Sequence, residues 1–491
     1  MVTELVGGET GLPEGILGTV LLAGMWASIL ILASGVAQNL IYTFQLASAY
    51  RALRRRRVVS GTPSVWWSFA EKTVPISILI PAYNEGTGIV DSVRSMLALH
   101  YPNFDVIVVN DGSSDNTLGA LIDAFHLEPV ERAYPEAVPH APIRTLYANP
   151  QYPRLLVADK ANGGKADALN AGINLSRMPL FCSVDADSLL ENDALLRAVQ
   201  PFMDDPDRVV AVGGTIRVVN GCGVRLGRVF KVGLPRSWLA RFQINEYLRS
   251  FLVSRLAWSE WGAVMLIAGA FGIFRRNVAI EAGGYSHGTV GEDMEIIVKL
   301  RRLQGDQNRD YAIRFVPDPV SWTEVPERLS TLARQRRRWQ RGGLETFFKH
   351  RAMVLRSRYG LSGTLGYANI LISDVVGPLL ELLGYLLIPL FFFTGVLQLD
   401  FFLAYLGTVF AYGVFLSVGA LVLEEIELHR YPEPGDLARL TASAVLENFG
   451  YRQINNVWRM LGWWDFLRRK QGWGEMLRQG FGSTSQTNRG H

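Results

Sequence analysis

Asp185 and Asp187 stand one residue apart at the end of an apolar run, in PLFCSVDADS. Carboxylates at that spacing can share a hard divalent cation, Mg2+ or Mn2+, whose other ligands are commonly phosphate oxygens. The same residues would also serve as a helix N-cap, through Asp187 or Ser188. In KANGGKADALNAG, Gly163, Gly164 and Lys165 open a helix. Free amides, a helix dipole and an ammonium make an anion site there, although an ordinary loop-to-helix junction reads alike and the spacing is not that of a Walker A loop. Glu292 and Asp293 follow a glycine-rich loop and begin the amphipathic MEIIVKLRR. They are a general base aimed into a cleft or dipole partners of a helix start. In ARQRRRWQRGG, Ser330 can cap a helix that Gly342 and Gly343 end. On it Gln335, Arg338 and Trp339 share a face at i, i+3 and i+4, an amide, a guanidinium and an indole suited to a diphosphate beside a flat sugar. Arg334 and Arg341 lie on or beside that stripe. Arg336 and Arg337 point aside, toward other protein or the cytoplasmic membrane surface, or the whole cluster is a basic interfacial helix.

Such distant segments need a scaffold that gathers them. VPISILIPAYNEG and FDVIVVNDGSSDNT are each an apolar run ending in polar loop residues, followed by a helical pattern. PLFCSVDADS and RVVAVGGTIRVV repeat the strand. This alternation predicts an α/β domain with a mostly parallel sheet and helices on both faces. Ligands bind at the carboxyl ends of such strands, where Tyr83, Glu85, Asp111, Asp185 and Asp187 all stand, so one cleft is expected. Residues 128–153 hold six prolines and read as an irregular insertion.

Around this domain the chain is greasy: 49% of its 491 residues are hydrophobic and 19% charged. No charge occurs from Gly15 to Tyr50, long enough to cross a bilayer, which takes about 20 apolar residues. Arg51 and Arg54 to Arg57 follow, which by the positive-inside rule places the N-terminus outside and the middle of the chain in the cytoplasm. Leu382 to Leu399 and Phe401 to Leu423 read as a hairpin of two further spans, the first beginning near Ile372 and then including Asp374 and Glu381. Those carboxylates face a polar pathway or sit at the interface. The tail from Trp458 is basic and tryptophan-rich, fitting a membrane surface. A net charge of +4 argues against a dedicated nucleic-acid binder. Two cysteines, Cys182 and Cys222, exclude a disulfide framework or a cysteine-based zinc site.

In their order these motifs resemble the membrane-integrated family 2 glycosyltransferases: cellulose, chitin, hyaluronan and poly-N-acetylglucosamine synthases. PAYNE (Pro81 to Glu85), NDGSSD (Asn110 to Asp115), NGGKADALNAG (Asn162 to Gly172), DAD, GAFGIFRR (Gly269 to Arg276), GED (Gly291 to Asp293) and Q-x-x-R-W carry the resemblance. It implies a GT-A, Rossmann-like domain over 75–350, after a spanning helix in 1–50 and a basic cytoplasmic linker, 51–74. An interfacial helix and membrane hairpin (351–425) and a cytoplasmic or interfacial tail (426–491) would follow. It implies that Tyr83, Glu85 and Asp111 hold the uracil and ribose of a UDP-sugar, with Lys165 near the nucleotide and Asp185 by the diphosphate. Asp187, with Asp185, would ligate Mg2+ or Mn2+, and Asp293 would be the base. Gln335, Arg338 and Trp339 would grip the diphosphate and flank the acceptor, which Gly269, Phe271 and Glu292 would line. Trp473 and Arg478, in GWGEMLR, would belong to a gating segment or else to an interfacial anchor. The implied reaction is inverting transfer to a β-linked polysaccharide at the inner face of the cell membrane, processive and coupled to export, with a second copy or export subunits as further partners. A non-processive transferase acting on a lipid or short glycan, and a catalytically silent nucleotide-sugar sensor, are the competing readings. Arg338→Ala is expected to destroy activity, and Arg336→Ala or Arg337→Ala only to dent it.

Overall fold

The computed structural model of the protein describes residues 14–55, 73–225, 227–393, 399–427, 431 and 433–469. Trp473 and Arg478, with most of the linker, lie outside the described residues.

β1 (Ile76–Ala82), β2 (Phe104–Asn110), β5 (Leu155–Lys160) and β6 (Leu180–Ser183) form the parallel heart of the sheet, with β2 beside β1 and β5, and β1 beside β6. Buried parallel strands need apolar side chains on both faces, and these alternate with period two. Ile76, Ile78, Ile80, Val106 and Val108 enter one core, Leu79, Ile107 and Val109 the other. The first core is covered by Ile89–Leu97, Thr117–Phe125 and Ala194–Asp204, the second by Lys165–Leu175 and Glu292–Asp306. The sheet is more mixed than the alternation predicts. Ten strands follow the order β3 (Glu128–Val130), β4 (Ile143–Ala148), β5, β2, β1, β6, β11 (Gly272–Arg275), β8 (Val209–Val218), β12 (Ala312–Thr323), β7 (Ser188–Leu190), while β9 (Gly223–Arg225) and β10 (Arg228–Lys231) pair apart from this sheet; β11 runs antiparallel between β6 and β8. β12 (Ala312–Thr323) lies parallel to β8, and β7 (Ser188–Leu190) antiparallel to β12. The proline-rich 128–153 is not wholly irregular: β3 (Glu128–Val130) and β4 (Ile143–Ala148) extend the sheet antiparallel from β5. Pro129 is tolerated because β3 is an edge strand, where a ladder N–H can be absent.

Among the described residues three helical segments are long and apolar enough to cross a membrane: Leu30–Arg55, Ser362–Phe393 and Phe402–Ile426. The second begins ten residues before the expected Ile372. Leu30, Leu40, Phe44, Leu386, Phe393 and Val422 expose apolar surface, as lipid-facing positions do. Buried ion pairs fasten this layer to the sheet domain. Arg217 at the end of β8 meets Glu424 at 2.5 Å, and Arg249 meets Ser417 at 2.7 Å and also pairs with Glu447. The helix Tyr451–Leu467 exposes Ile454, Val457, Leu461 and Trp464 along one side.

Candidate active site

The carboxyl ends of the central strands do hold the expected loops, and these loops first bond one another. Asn84 accepts from the amides of Ser114 (2.8 Å) and Asp115 (3.3 Å), while Asp115 accepts from the amide of Gly86 at 3.0 Å. Tyr83 stands out of this knot, half exposed. Asp111 does not face solvent. Its carboxylate receives Lys160 Nζ at 2.5 Å, the Gly163 amide at 3.0 Å and the Gly164 amide at 2.7 Å. The anion expected at the Gly163–Lys165 junction is therefore the chain's own Asp111. Lys160, fully buried, bridges it to Asp167, also at 2.5 Å. Sequence reading missed Lys160, whose only signal is a lysine closing the apolar strand LLVADK.

A cavity of about 960 Å3 adjoins this junction. Lys165, Asp185, Asp187, Gly269, Glu292, Asp293, Gln335, Arg338 and Trp339 all line it; Tyr83, Glu85, Asp111 and Phe271 do not. Phe271 is 0% exposed and packs in the core under β1 and β6. Immediately before β11, its ring turns inward, so the acceptor role implied for it is corrected to a packing one. The cavity also takes in residues that carry no motif. Arg255 comes from a widened helical turn (Leu248–Arg255), and Tyr42 and Asp374 come from the apolar helices. Arg459 reaches Asp374 at 3.2 Å and Gln340 at 2.8 Å on the same wall. Asp374 thus faces a protein cavity and pairs with Arg459.

Lys165 is the hub of the acidic end. Its Nζ lies 2.7 Å from Asp185 and 2.8 Å from Glu292. Burial works against its charge, but the Asp185 and Glu292 carboxylates outweigh that and hold its pKa above the usual lysine range. Gly269 makes room for it, since a Cβ there would stand 2.6 Å from Nζ. Burial, then the neighbouring charge of Glu292, pushes the Asp293 carboxyl up to about 6, against the pull of Lys165. Its oxygens accept only the amides of Met294 (2.8 Å) and Gly269 (3.3 Å) among the bonds resolved. A carboxyl raised toward neutral pH yet still mostly ionised there, and facing a cavity, is a competent proton acceptor. Burial lowers the Arg255 guanidinium to about 10, with Asp293 opposing the shift.

The arginine helix runs from Leu329 to Lys349 and passes straight through Gly342 and Gly343. The expected stop fails for a steric reason. Gly342 presses on Gly291, and a Cβ on Gly342 would lie 2.7 Å from the Gly291 Cα. These glycines permit a backbone crossing that brings Gln335, Arg338 and Trp339 beside Glu292 and Asp293. Glu345 locks the crossing by accepting from Thr289 Oγ1 (3.1 Å) and the Val290 amide (3.0 Å). Gln335 Oε1 is buried without a protein partner. Arg334 is exposed and bonds Thr331, and Arg341 turns to Glu345 at 3.1 Å, so neither joins the stripe in the cavity. Arg337 is held by Asp465 through bonds of 2.9 and 2.8 Å. Arg336 pairs with Glu246.

Asp185 and Asp187 both line the cavity, and no group of three or more ligating side chains occurs among the described residues. Two carboxylates with no further protein ligand suit a hard cation that keeps phosphate and water oxygens, so the donor set fits Mg2+ or Mn2+.

Comparison with known proteins bears on the family and the fold. Residues 77–133 match the model of glycosyl transferase family 2, and residues 180–416 that of glycosyl transferase family group 2. Poly-beta-1,6-N-acetyl-D-glucosamine synthase of Staphylococcus epidermidis is 28% identical over 274 residues, 56% of each chain. The synthase of that name from Staphylococcus aureus is 29% identical over the same extent. The match thus spans little more than half the length of these curated relatives. Among solved structures, the mannosyltransferase PcManGT of Pyrobaculum calidifontis, in complex with GDP-Man and Mn2+, superposes with a TM-score of 0.54 at 17% identity. It covers 91% of this chain and 100% of its own, a likeness of fold.

Proposed function

The chain belongs to the family 2 glycosyltransferases, and from that premise we propose that it extends a β-linked polysaccharide from a UDP-sugar at the inner face of a membrane, passing the product outward as it grows. The observation that carries this reading is the single cavity. Its lining takes in Lys165, Asp185, Asp187 and Asp293 together with Tyr42 and Asp374 of the apolar helices. A transferase that releases its product into water has no need of such a continuation.

In this reading Asp293 takes the proton of an acceptor hydroxyl, and the freed oxygen attacks the anomeric carbon from the face opposite the diphosphate. One displacement inverts the configuration, so an α-linked donor yields a β-linked product. Arg338 and Lys165 stabilise charge developing on the departing diphosphate. When bound, a Mg2+ or Mn2+ ion on Asp185 and Asp187 supplies further neutralisation of that charge. Gln335, with its buried unpartnered oxygen, orients a donor or acceptor hydroxyl, and Trp339 offers its ring to the acceptor sugar. Tyr83 and Glu85 stand at the nucleoside end, and Asp111 shapes that end by holding the Gly163 and Gly164 amides. The N-terminus lies outside and the sheet domain in the cytoplasm.

The relatives' names make UDP-N-acetylglucosamine the first donor to try, and the GDP-Man complex makes GDP-mannose the control. Full-length protein in lipid nanodiscs with Mn2+ should release UDP and yield long polymer on a sizing gel. Short products only would favour the non-processive reading, and binding without turnover the silent-sensor reading.

A further inference from the structure

We infer that Arg336 is a positioning residue for the acceptor: with Glu246 it fixes the Trp339 indole as a one-sided platform for a sugar ring. This reverses the expectation that Arg336 serves only the protein or membrane surface, and it rests on the function proposed above.

Arg336 is 4% exposed. Its Nη1 lies 2.8 Å from Glu246 Oε1, and its Nη2 donates to Glu246 Oε2 at 2.8 Å, a fork-to-fork pair that fixes the guanidinium plane. Tyr451 donates to the same Oε2 at 3.0 Å, so Glu246 is itself held. The guanidinium carbon lies over the Trp339 ring, 4.3 Å from its centroid. One turn apart on a helix, the two side chains stack along its face. Trp339 nevertheless remains 44% exposed and lines the cavity beside Gln335 and Arg338.

One indole face is thus occupied by a locked cation, and the other is open where the acceptor must lie. A free indole on a helix surface has several rotamers; this one is pinned by a stack that is itself pinned by an ion pair. Arg336 Nε is buried with no partner, so the guanidinium sits where the indole and Glu246 place it, not where every N–H is satisfied. A platform with one usable face admits a single stacked pyranose, which positions the acceptor's terminal residue toward Asp293.

Arg336→Lys tests this, because lysine keeps a charge for Glu246 but not the flat stack or the fork. The probes are a β-1,6-linked N-acetylglucosamine pentamer and UDP, titrated into full-length protein in nanodiscs, with thermal unfolding alongside. Arg336→Lys should bind the pentamer about tenfold more weakly and raise the acceptor KM by a similar factor. Its kcat, UDP affinity and unfolding temperature should stay near those of the unaltered protein. Trp339→Ala should weaken pentamer binding at least as much. Wild-type pentamer binding by Arg336→Lys, while Trp339→Ala loses it, would overturn the inference and leave the proposed function standing. Absence of pentamer binding and of turnover in the unaltered protein would bring down both.

Discussion

At the Gly163–Lys165 junction a buried carboxylate, Asp111, takes two backbone amides and a buried lysine. At the Gly291–Asp293 junction a half-buried carboxylate, Asp293, takes two amides, at 2.8 and 3.3 Å, and faces a cavity, with Lys165 turned to its neighbours Glu292 and Asp185. Both stand at a loop leading into a helix beside glycine. The difference lies in what remains unsatisfied. A carboxylate whose hydrogen bonds are filled from within stabilises a loop, while one kept from water and short of partners can accept a proton from a visitor.

The sharpest way to break this comparison is to neutralise each acid. Asp293→Asn should lower transfer about a thousandfold or more while UDP binding is preserved, as UDP release and UDP titration will show. Asp111→Asn should act on the fold instead. It leaves Lys160 buried with half its counter-charge and should cost about 3–5 kcal/mol, read as a fall in unfolding temperature that outweighs any change in kcat. If Asp111→Asn were fully stable and merely inactive, the contrast would fail.

A third test bears on how the second junction is placed. Gly342→Ala forces the arginine helix away from Gly291, and kcat should fall roughly ten- to a hundredfold, measured at saturating donor and acceptor. The smallest effect is a displaced pH profile. Asp293 must be ionised to act, so activity should rise with pH through about 6. Glu292 raises that pKa and Lys165 lowers it. Glu292→Gln should therefore move the acidic limb of kcat/KM to lower pH; a limb that stays in place or moves to higher pH would refute the assignment.

Much of the scaffold was legible because buried parallel strands announce themselves as apolar runs with polar ends. The same logic gathered Tyr83, Glu85, Asp111, Asp185 and Asp187 at strand ends, of which Asp185 and Asp187 line the cavity; Glu292, Asp293 and the Gln335-Arg338-Trp339 stripe drew their roles from the family resemblance. What escaped depended on partners distant in the chain. Gly342 and Gly343 read as a helix stop because nothing local tells that Gly291 lies against them. Asp111 read as a ligand contact because its saturation by Lys160 is a tertiary fact. Phe271 was placed at the acceptor through the resemblance carried by GAFGIFRR, of which Gly269 and Ala270 line the cavity while the Phe271 ring packs in the core. Arg255 and Tyr42 carry no motif and reach the cavity only through the helices that present them. Arg336 and Arg337 were read as pointing aside; Arg337 is held by Asp465, whereas Arg336 pairs with Glu246, stacks on Trp339 and lines the same cavity as the stripe.

The brace formed by Tyr451–Leu467 has a consequence for biosynthesis. Asp465 holds Arg337, Arg459 holds Gln340 and Asp374, and Gly462 sits where a Cβ would be 2.7 Å from the Arg337 carbonyl. These contacts come from the last described helix and grip one that emerges from the ribosome more than a hundred residues earlier. A nascent or prematurely terminated chain therefore carries every catalytic motif without the strut that sets them. Assembly of this cavity wall therefore waits on the helix, and a chain that stops before Tyr451 should fold its sheet yet leave Arg337, Gln340 and Asp374 without these contacts.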